Sequence, residues 1–390
     1  MSVDLTNILA GLEAKIAAMD SNTPLDDMIL NIKSYQEAGG KLSIIYDSAG
    51  ELPAADSAYS GMLASTNTGL YVYDSAWSLL DSDTYTAPPV PVPQPFVWQG
   101  STSGYMQGGF SPYSNVIQSY SFTADGNAVD IGDLLTTPYG STGSSDGTSG
   151  FAGGGQTPSY TTQLNKFPFA AGGNATDAGD LSSARGAGGP VHTEQTGYMM
   201  AGRDPSGNLN TIEKYPHATG TGVEVTATTQ SARNRPHGSG SSTTHGYVMG
   251  GYTSSAVTDI DKMPFASEDA ASDVGDLNIA AYTNTGGVSS TTHAYSAGNW
   301  PGSRTTRLKV SFASDGNSVT AGAISYGRYG TSGTSSTTHG YTHGGVSPAF
   351  SGSYTNIIDK FPYASDTDTS TDVGDATQSP GIANAAGVHI

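Results

Sequence analysis

The sequence predicts an all-β chain whose larger part is a six-bladed β-propeller, preceded by a small attachment module of short helices and a β-hairpin. Three observations predict the propeller. An aromatic residue followed three and four positions later by a glycine pair, or by one glycine with Ala or Asn, returns six times, at Tyr105, Phe151, Tyr198, Tyr247, Tyr295 and Tyr341, with spacings of 46, 47, 49, 48 and 46 residues. The pairs are Gly108-Gly109, Gly154-Gly155, Ala201-Gly202, Gly250-Gly251, Gly298-Asn299 and Gly344-Gly345. A period in the forties built from short strands and glycine turns means stacked or circular β units. Each period holds four strand-sized pieces, the content of one blade. Finally, the first repeat opens directly at its second strand, Ser103-Gly104-Tyr105, while residues 381–390 read as an orphan first strand. Joining the two closes a ring and removes the open sheet edge.

Composition agrees. The 390 residues include 52 Gly and 20 Pro, only 13% are charged, and the net charge is -19. That is a loop-rich all-β composition, and the regular aromatic positions argue against disorder. Both halves of the chain are acidic, which excludes nucleic acid as a natural partner. With no cysteine, disulfides and thiolate chemistry are excluded. The opening run MSVDLTNILAGLEAK has no basic segment ahead of an apolar one, so a secretory signal is not expected. No stretch approaches the ~20 apolar residues of a membrane span.

Residues 1–40 read as two helices. Leu5, Leu9, Leu12, Ile16 and Met19 form a short heptad seam, and Leu25, Met28, Ile32 and Tyr35 a second stripe. Thr23-Pro24 with Asp26-Asp27 is a start signal, and Gly39-Gly40 a stop. Helices this short need a partner, either each other in a hairpin or further copies in a small bundle. Residues 41–86 read as a small β module. It has a strand over 42–46, a hairpin across Thr66-Asn67-Thr68-Gly69, and Trp77 packing back. Residues 87–95, APPVPVPQP, read as an extended proline linker.

The run GMLASTNTGLYVYDSAWSLL resembles a module found in tail-fibre and other virion proteins of bacteriophages, of cyanophage-like type. It covers about twenty residues. The repeats of 96–390 resemble kelch and related propeller repeats. That pattern has an arginine in the first strand, an apolar second strand ending in Gly-Gly, and an aromatic third strand. Arg185, Arg233 and Arg328 stand where the resemblance places the arginine. The third piece recurs as LNKFPFA, IEKYPHA, IDKMPFA and IDKFPYA, and the fourth as DIGDL, DAGDL, DVGDL and DVGDA. The third repeat departs with VEVTATT, and the fifth with Arg307 and Asn299. The resemblance implies a fold and not an activity. Diglycines are expected to let the backbone crowd near the axis. Phe169, Phe265, Phe312 and Tyr363 are expected to fill the wedge between blades with the repeated tyrosines. Lys166, Lys214, Lys262 and Lys360 are expected to form surface or inter-blade ion pairs.

Candidate chemistry is sparse. His245, His293 and His339 recur before the second strand, and three imidazoles on one rim would suit a transition metal. Serine or threonine holds the position in the other repeats, so a turn role is expected instead. Asp366, Asp368, Asp372 and Asp375 offer oxygen ligands but lack the spacing of a calcium loop, so they are read as backbone caps. No carboxylate dyad or nucleophile–base motif stands out. The chain is therefore expected not to be an enzyme and to need no metal or cofactor. Tyr113, Tyr160, Trp300 and Tyr354 lie in the loops after the diglycine strands and are the receptor-contact candidates.

These readings, with the phage resemblance, imply a structural component of the virion, assembled in the host cytoplasm. It would be a tail fibre or adhesin that presents the propeller to a glycan or protein on the host surface. Residues 1–86 would bind other virion proteins and self-associate, as a trimer of the N-terminal helices. No membrane insertion is expected. The rival readings are a capsid-decorating fibre, a propeller glycan hydrolase and a kelch-like scaffold for protein partners.

Overall fold

Antiparallel pairing of four short strands, repeated six times, is what the sequence period builds. The computed structural model describes residues 99–389 apart from 111–112, 283–286, 303–304, 348–352 and 379–382, and the backbone of four strands between residues 44 and 79. The chain divides into two units, Met1–Gln94 and Pro95–Ile390. In the first, strands Ile44–Ile45, Leu63–Thr66, Gly69–Tyr73 and Trp77–Leu79 form one sheet in chain order. Its first pair is parallel and the rest antiparallel, with Thr66 facing Gly69. The helices expected over 1–40 and the linker over 87–95 lie outside the described residues. Among the described residues no helix is long and apolar enough to cross a membrane.

The larger unit is a six-bladed β-propeller. Among its described residues are six four-stranded antiparallel sheets. The fourth blade runs Gly238–Ser241, His245–Tyr252, Ala256–Pro264 and Ser272–Asp276 in spatial order. The first blade is composite. Ala386–His389 from the C-terminus pairs antiparallel with Ser103–Gln107, setting Val388 opposite Tyr105, and Val116–Ser121 and Val129–Asp133 complete the sheet. First strands of consecutive blades touch all the way round the ring. They are made of small residues such as Thr142-Gly143-Ser144-Ser145, all buried. A Cβ on Gly143 would lie 2.5 Å from the carbonyl oxygen of Gly387, and one on Gly387 2.1 Å from that of Gly333.

Axial crowding therefore falls on the first-strand glycines and not, as the sequence reading has it, on the diglycines. The diglycines end the second strand in a left-handed turn, with φ +66° at Gly108 and +59° at Gly250. Cβ atoms there would strike the carbonyl oxygens of Pro138 and Ala281, in the connection that enters the following blade.

Neighbouring blades meet through a repeated aromatic contact. Tyr105 stacks on Phe169, Tyr198 on Phe265 and Tyr295 on Tyr363, with centroids 4.6, 5.4 and 5.2 Å apart. Tyr247 meets Phe312 at 4.9 Å. The ring is completed by Phe151 on His217 at 4.4 Å and Tyr341 on Phe122 at 4.8 Å. Each such pair is worth about 0.5–1.5 kcal/mol beyond its buried area. Beside the stack runs an ion pair. Lys214 holds Glu268, Lys262 Asp315, Lys309 Asp366 and Lys360 Asp125, each acid belonging to the following blade. Lys166 instead holds Asp146 of its own blade. These pairs are partly exposed and add little individually.

Arg185, Arg233 and Arg328 are fully buried, each beside the third-strand acid of its own blade. Arg233 Nη2 lies 2.5 Å from Asp261 and Arg328 Nη2 3.0 Å from Asp359. Arg185 Nη2 lies 3.7 Å from Glu213 and 2.6 Å from Glu224. The third-strand acid also accepts a backbone N–H, from Ser182, Gln230 or Ser325. The other three blades carry Gln118, Asn165 and Leu308 at the acid position, and Ile382, Pro138 and Ala281 at the arginine position. At these two positions arginine and acid occur together or not at all, as the desolvation of a lone charge favours. Arg307 is buried without a carboxylate. It lies 4.1 Å over the Phe361 ring and donates to the carbonyls of Ala323 and Asp368.

Two outcomes are expected. Deleting residues 381–390 strips the first blade of its inner strand, and the truncated chain loses its cooperative melt and aggregates. A truncated chain with the parental Tm and solubility would contradict the closure. Arg233→Leu leaves the Asp261 carboxylate buried without its cation and lowers stability by about 3–5 kcal/mol in urea unfolding. The double variant R233L/D261L recovers most of that loss, whereas a single variant as stable as the parent would show that the pair matters little.

Candidate functional site

Because all four strands of a blade alternate in direction, the loops between strands two and three share one face with the connections between blades. Call this the upper face. The turns carrying His245, His293 and His339, and the loop carrying Asp366 and Asp368, lie on the lower face. There the Nδ1 of each histidine pairs with the hydroxyl of the threonine before it, at 2.7–2.8 Å, and its backbone N–H donates to a serine hydroxyl. Asp366 pairs with Lys309, and Asp372 accepts the Gly374 N–H. Among the described residues no three His, Asp or Glu side chains converge as metal ligands.

The upper face is built by a repeated backbone device. The residue just after each diglycine position bridges to the connection that enters its own blade. Phe110 pairs with Ala383, Gln156 with Tyr139, Arg203 with Gly186, Tyr252 with Asn234, Trp300 with Tyr282, and Val346 with Tyr329. One residue further along the connection the chain turns left-handed. Gly140, Ala187, Arg235, Gly330 and Asn384 have φ between 49° and 68°. Arg235 N–H donates to the Ala187 carbonyl, Ala187 to Gly140, Gly140 to Asn384, and Asn384 to Gly330, at 2.7–2.9 Å. Among the described residues this hydrogen-bonded collar runs through five of the six blades and floors a bowl.

The walls are aromatic. Phe110 meets Tyr113, Tyr139 and Tyr354 at 5.0, 5.3 and 5.9 Å. Trp300 meets Tyr329 at 5.0 Å, and Tyr252 meets Tyr282 at 4.8 Å. Two adjoining cavities open here. One, of about 380 Å³, is lined by Phe110, Tyr282, Trp300, Tyr329, Val346 and Tyr354. The other, of about 320 Å³, is lined by Tyr160, Gln156, Arg203, Asp204 and Asn234. Tyr139, Arg235 and Asn384 belong to both.

The four sequence candidates share this face. Tyr113 and Trp300 stand 48% and 39% exposed, and Tyr160 and Tyr354 close the short hairpins Gln156–Thr157/Ser159–Tyr160 and Val346–Ser347/Ser353–Tyr354. Sequence reasoning missed Phe110, Tyr139, Tyr282, Tyr329 and both arginines. A signal existed, since Tyr139, Tyr282 and Tyr329 all stand at the bridging position of an inter-blade connection. Burial, then the neighbouring phenols of Tyr113 and Tyr160, push the Tyr139 hydroxyl up, while Arg235 and Arg203 pull against them. Burial, Tyr354 and Tyr282 likewise push up the Tyr329 hydroxyl. The bowl is thus set for stacking and hydrogen bonding by neutral phenols, beside two guanidiniums. Its carboxylate, Asp204, already accepts from Ser206 and Gly207. No protein-family model matches this chain, and a search of curated proteins finds no significant match.

Burial pushes several histidines down outside the cavity linings, His192 among them. Burial takes His343 from 6.5 down to about 3 and His237 down to about 4. His343 ties the sixth blade to the first, with Tyr120 Oη at 2.6 Å and Ser332 Oγ at 2.9 Å on its two ring nitrogens. Both histidines are neutral in the folded protein. Below pH 6.5 the unfolded chain takes up protons that the folded chain refuses, so their contribution is lost as pH falls toward their folded values. Each makes stability fall by up to about 1.4 kcal/mol per pH unit between about 6 and 4. Urea unfolding of the parent and of H237Q/H343Q from pH 7.5 to 4.5 checks this. The variant is less stable at neutral pH and has the shallower pH slope; parallel slopes would contradict the assignment.

Proposed function

We propose that this chain is a structural component of a bacteriophage particle, a tail fibre or adhesin whose kelch-like propeller offers its upper face to a receptor on the host surface. The observation that carries the reading is the bowl: an open, aromatic depression at the centre of one face, framed by the loops most free to vary. Exposed tyrosine and tryptophan supply contact area at little entropic cost, which suits recognition. The N-terminal module supplies the virion end, on the strength of its resemblance to phage structural proteins. In this reading residues 1–86 join other virion proteins and associate as a trimer, leaving the propeller free. A binding role is favoured over hydrolysis because, among the described residues, Asp204 is the one carboxylate in the cavity linings and it is held by its own turn.

Immunogold electron microscopy with an antibody against 96–390, applied to phage from the source culture, tests the proposal. Label at the tail tip or fibres is expected. Label on the head would move the protein to capsid decoration. Particles without label would end the virion reading and return the propeller to a scaffold or enzyme.

A further inference from the structure

Cations are scarce in this molecule and nearly all are committed. Among the described residues every lysine holds a carboxylate, and Arg185, Arg233 and Arg328 are buried against theirs. Arg307 is buried over Phe361. That leaves Arg203 and Arg235. Both are exposed and form no ion pair among the described residues, although the chain carries a net charge of -19. Both line the bowl. Arg235 sits on the collar in a left-handed conformation, φ 49°, at a position filled by Gly140, Ala187, Gly330 or Asn384 in other blades. A long side chain bears a backbone cost there that glycine does not.

The two cavities divide the chemistry. The larger holds Phe110, Tyr282, Trp300, Tyr329 and Tyr354, flat faces suited to the C–H face of a sugar ring. The smaller holds Arg203, Gln156 and Asn234, and Arg235 stands between the two. Each is at the small end of the ~300–1,000 Å³ range of ligand sites, so the bowl accommodates a short segment.

We propose that the bowl binds an acidic oligosaccharide. A carboxylate on one sugar is gripped by Arg235 with Arg203 beside it, and an adjoining sugar stacks on the Trp300 side. The inference rests on the receptor-binding reading and names the class of receptor. Guanidinium–carboxylate pairing supplies a directional, charge-assisted contact. The surrounding negative charge repels acidic polymers elsewhere on the surface, so the bowl alone selects them.

The test uses the full chain and a panel of bacterial surface oligosaccharides, uronate-bearing and neutral, with each acidic one also in carboxyl-reduced form. Affinities come from calorimetry. Binding is expected within the acidic set, weakened about tenfold or more by carboxyl reduction. Arg235→Gln is expected to reproduce that loss without adding to it on the reduced sugar. Trp300→Ala is expected to weaken acidic and reduced forms alike. Both variants should keep the parental Tm, because both side chains are exposed. Equal affinity for native and reduced forms, or an unchanged R235Q, overturns the carboxylate inference and leaves glycan recognition standing. Absence of binding to every oligosaccharide overturns both.

Discussion

The contact on which everything else depends is the aromatic pair between consecutive blades. A single blade buries one face of a four-stranded sheet at most, and its second-strand tyrosine would stand in water. Stacked on the ring of the following blade, that tyrosine becomes core. The six pairs form a circle only if the last blade meets the first, as Tyr341 on Phe122 does. The inner strand Ala386–His389 makes that meeting possible, because it supplies the first blade's edge next to the sixth blade. Ring closure is therefore a condition for the core and not an ornament upon it.

Around this contact, departures from the repeat are compensated locally. The residue before the second-strand aromatic is glycine in five blades, and in four of them a third-strand ring lies across it. A Cβ at Gly150 would be 2.3 Å from Phe167, and one at Gly197 2.3 Å from Tyr215. The fifth blade has Ala294 there, and its facing residue is the smaller Val310. The arginines that enter the first strands, Arg185, Arg233 and Arg328, behave likewise, present where the third strand carries an acid and absent where it does not. Where the phenylalanine after the third strand is missing from the third blade, His217 takes its place on Phe151. Each exception is matched by a neighbour, which is how a low-charge, glycine-rich chain keeps a close-packed interior.

Much of this could be read from the sequence, because the signals are periodic. The aromatic-x-x-Gly-Gly repeat, the IDKFPYA-type third strand and the orphan C-terminal strand locate the four strands of a blade and the interlock. The inter-blade role of Phe169, Phe265, Phe312 and Tyr363 follows from the same regularity. The bowl was half visible. Tyr113, Tyr160, Trp300 and Tyr354 stand out as aromatics in loops, but their companions sit in the inter-blade connections, which share no motif beyond a left-handed turn. That turn is filled by Gly140, Ala187, Arg235 and Asn384 in different blades, so the collar is a backbone pattern with no residue signature. Diglycine pointed to the right place for the wrong reason: a close approach to the following connection, and not crowding at the axis.

The bowl inherits its existence from the ring. Among the described residues its floor is one hydrogen-bonded residue from each of five blades, and its walls come from several blades, including the composite first one through Phe110. If closure fails, the floor opens and the cavities lose their shape. Amide hydrogen exchange followed by mass spectrometry measures this most directly. The account predicts that peptides covering 99–110 and 383–389 exchange slowly and together, with protection equal to that of the inner blades. Fast exchange of 383–389 while the other first strands stay protected would contradict the closed ring and, with it, the bowl.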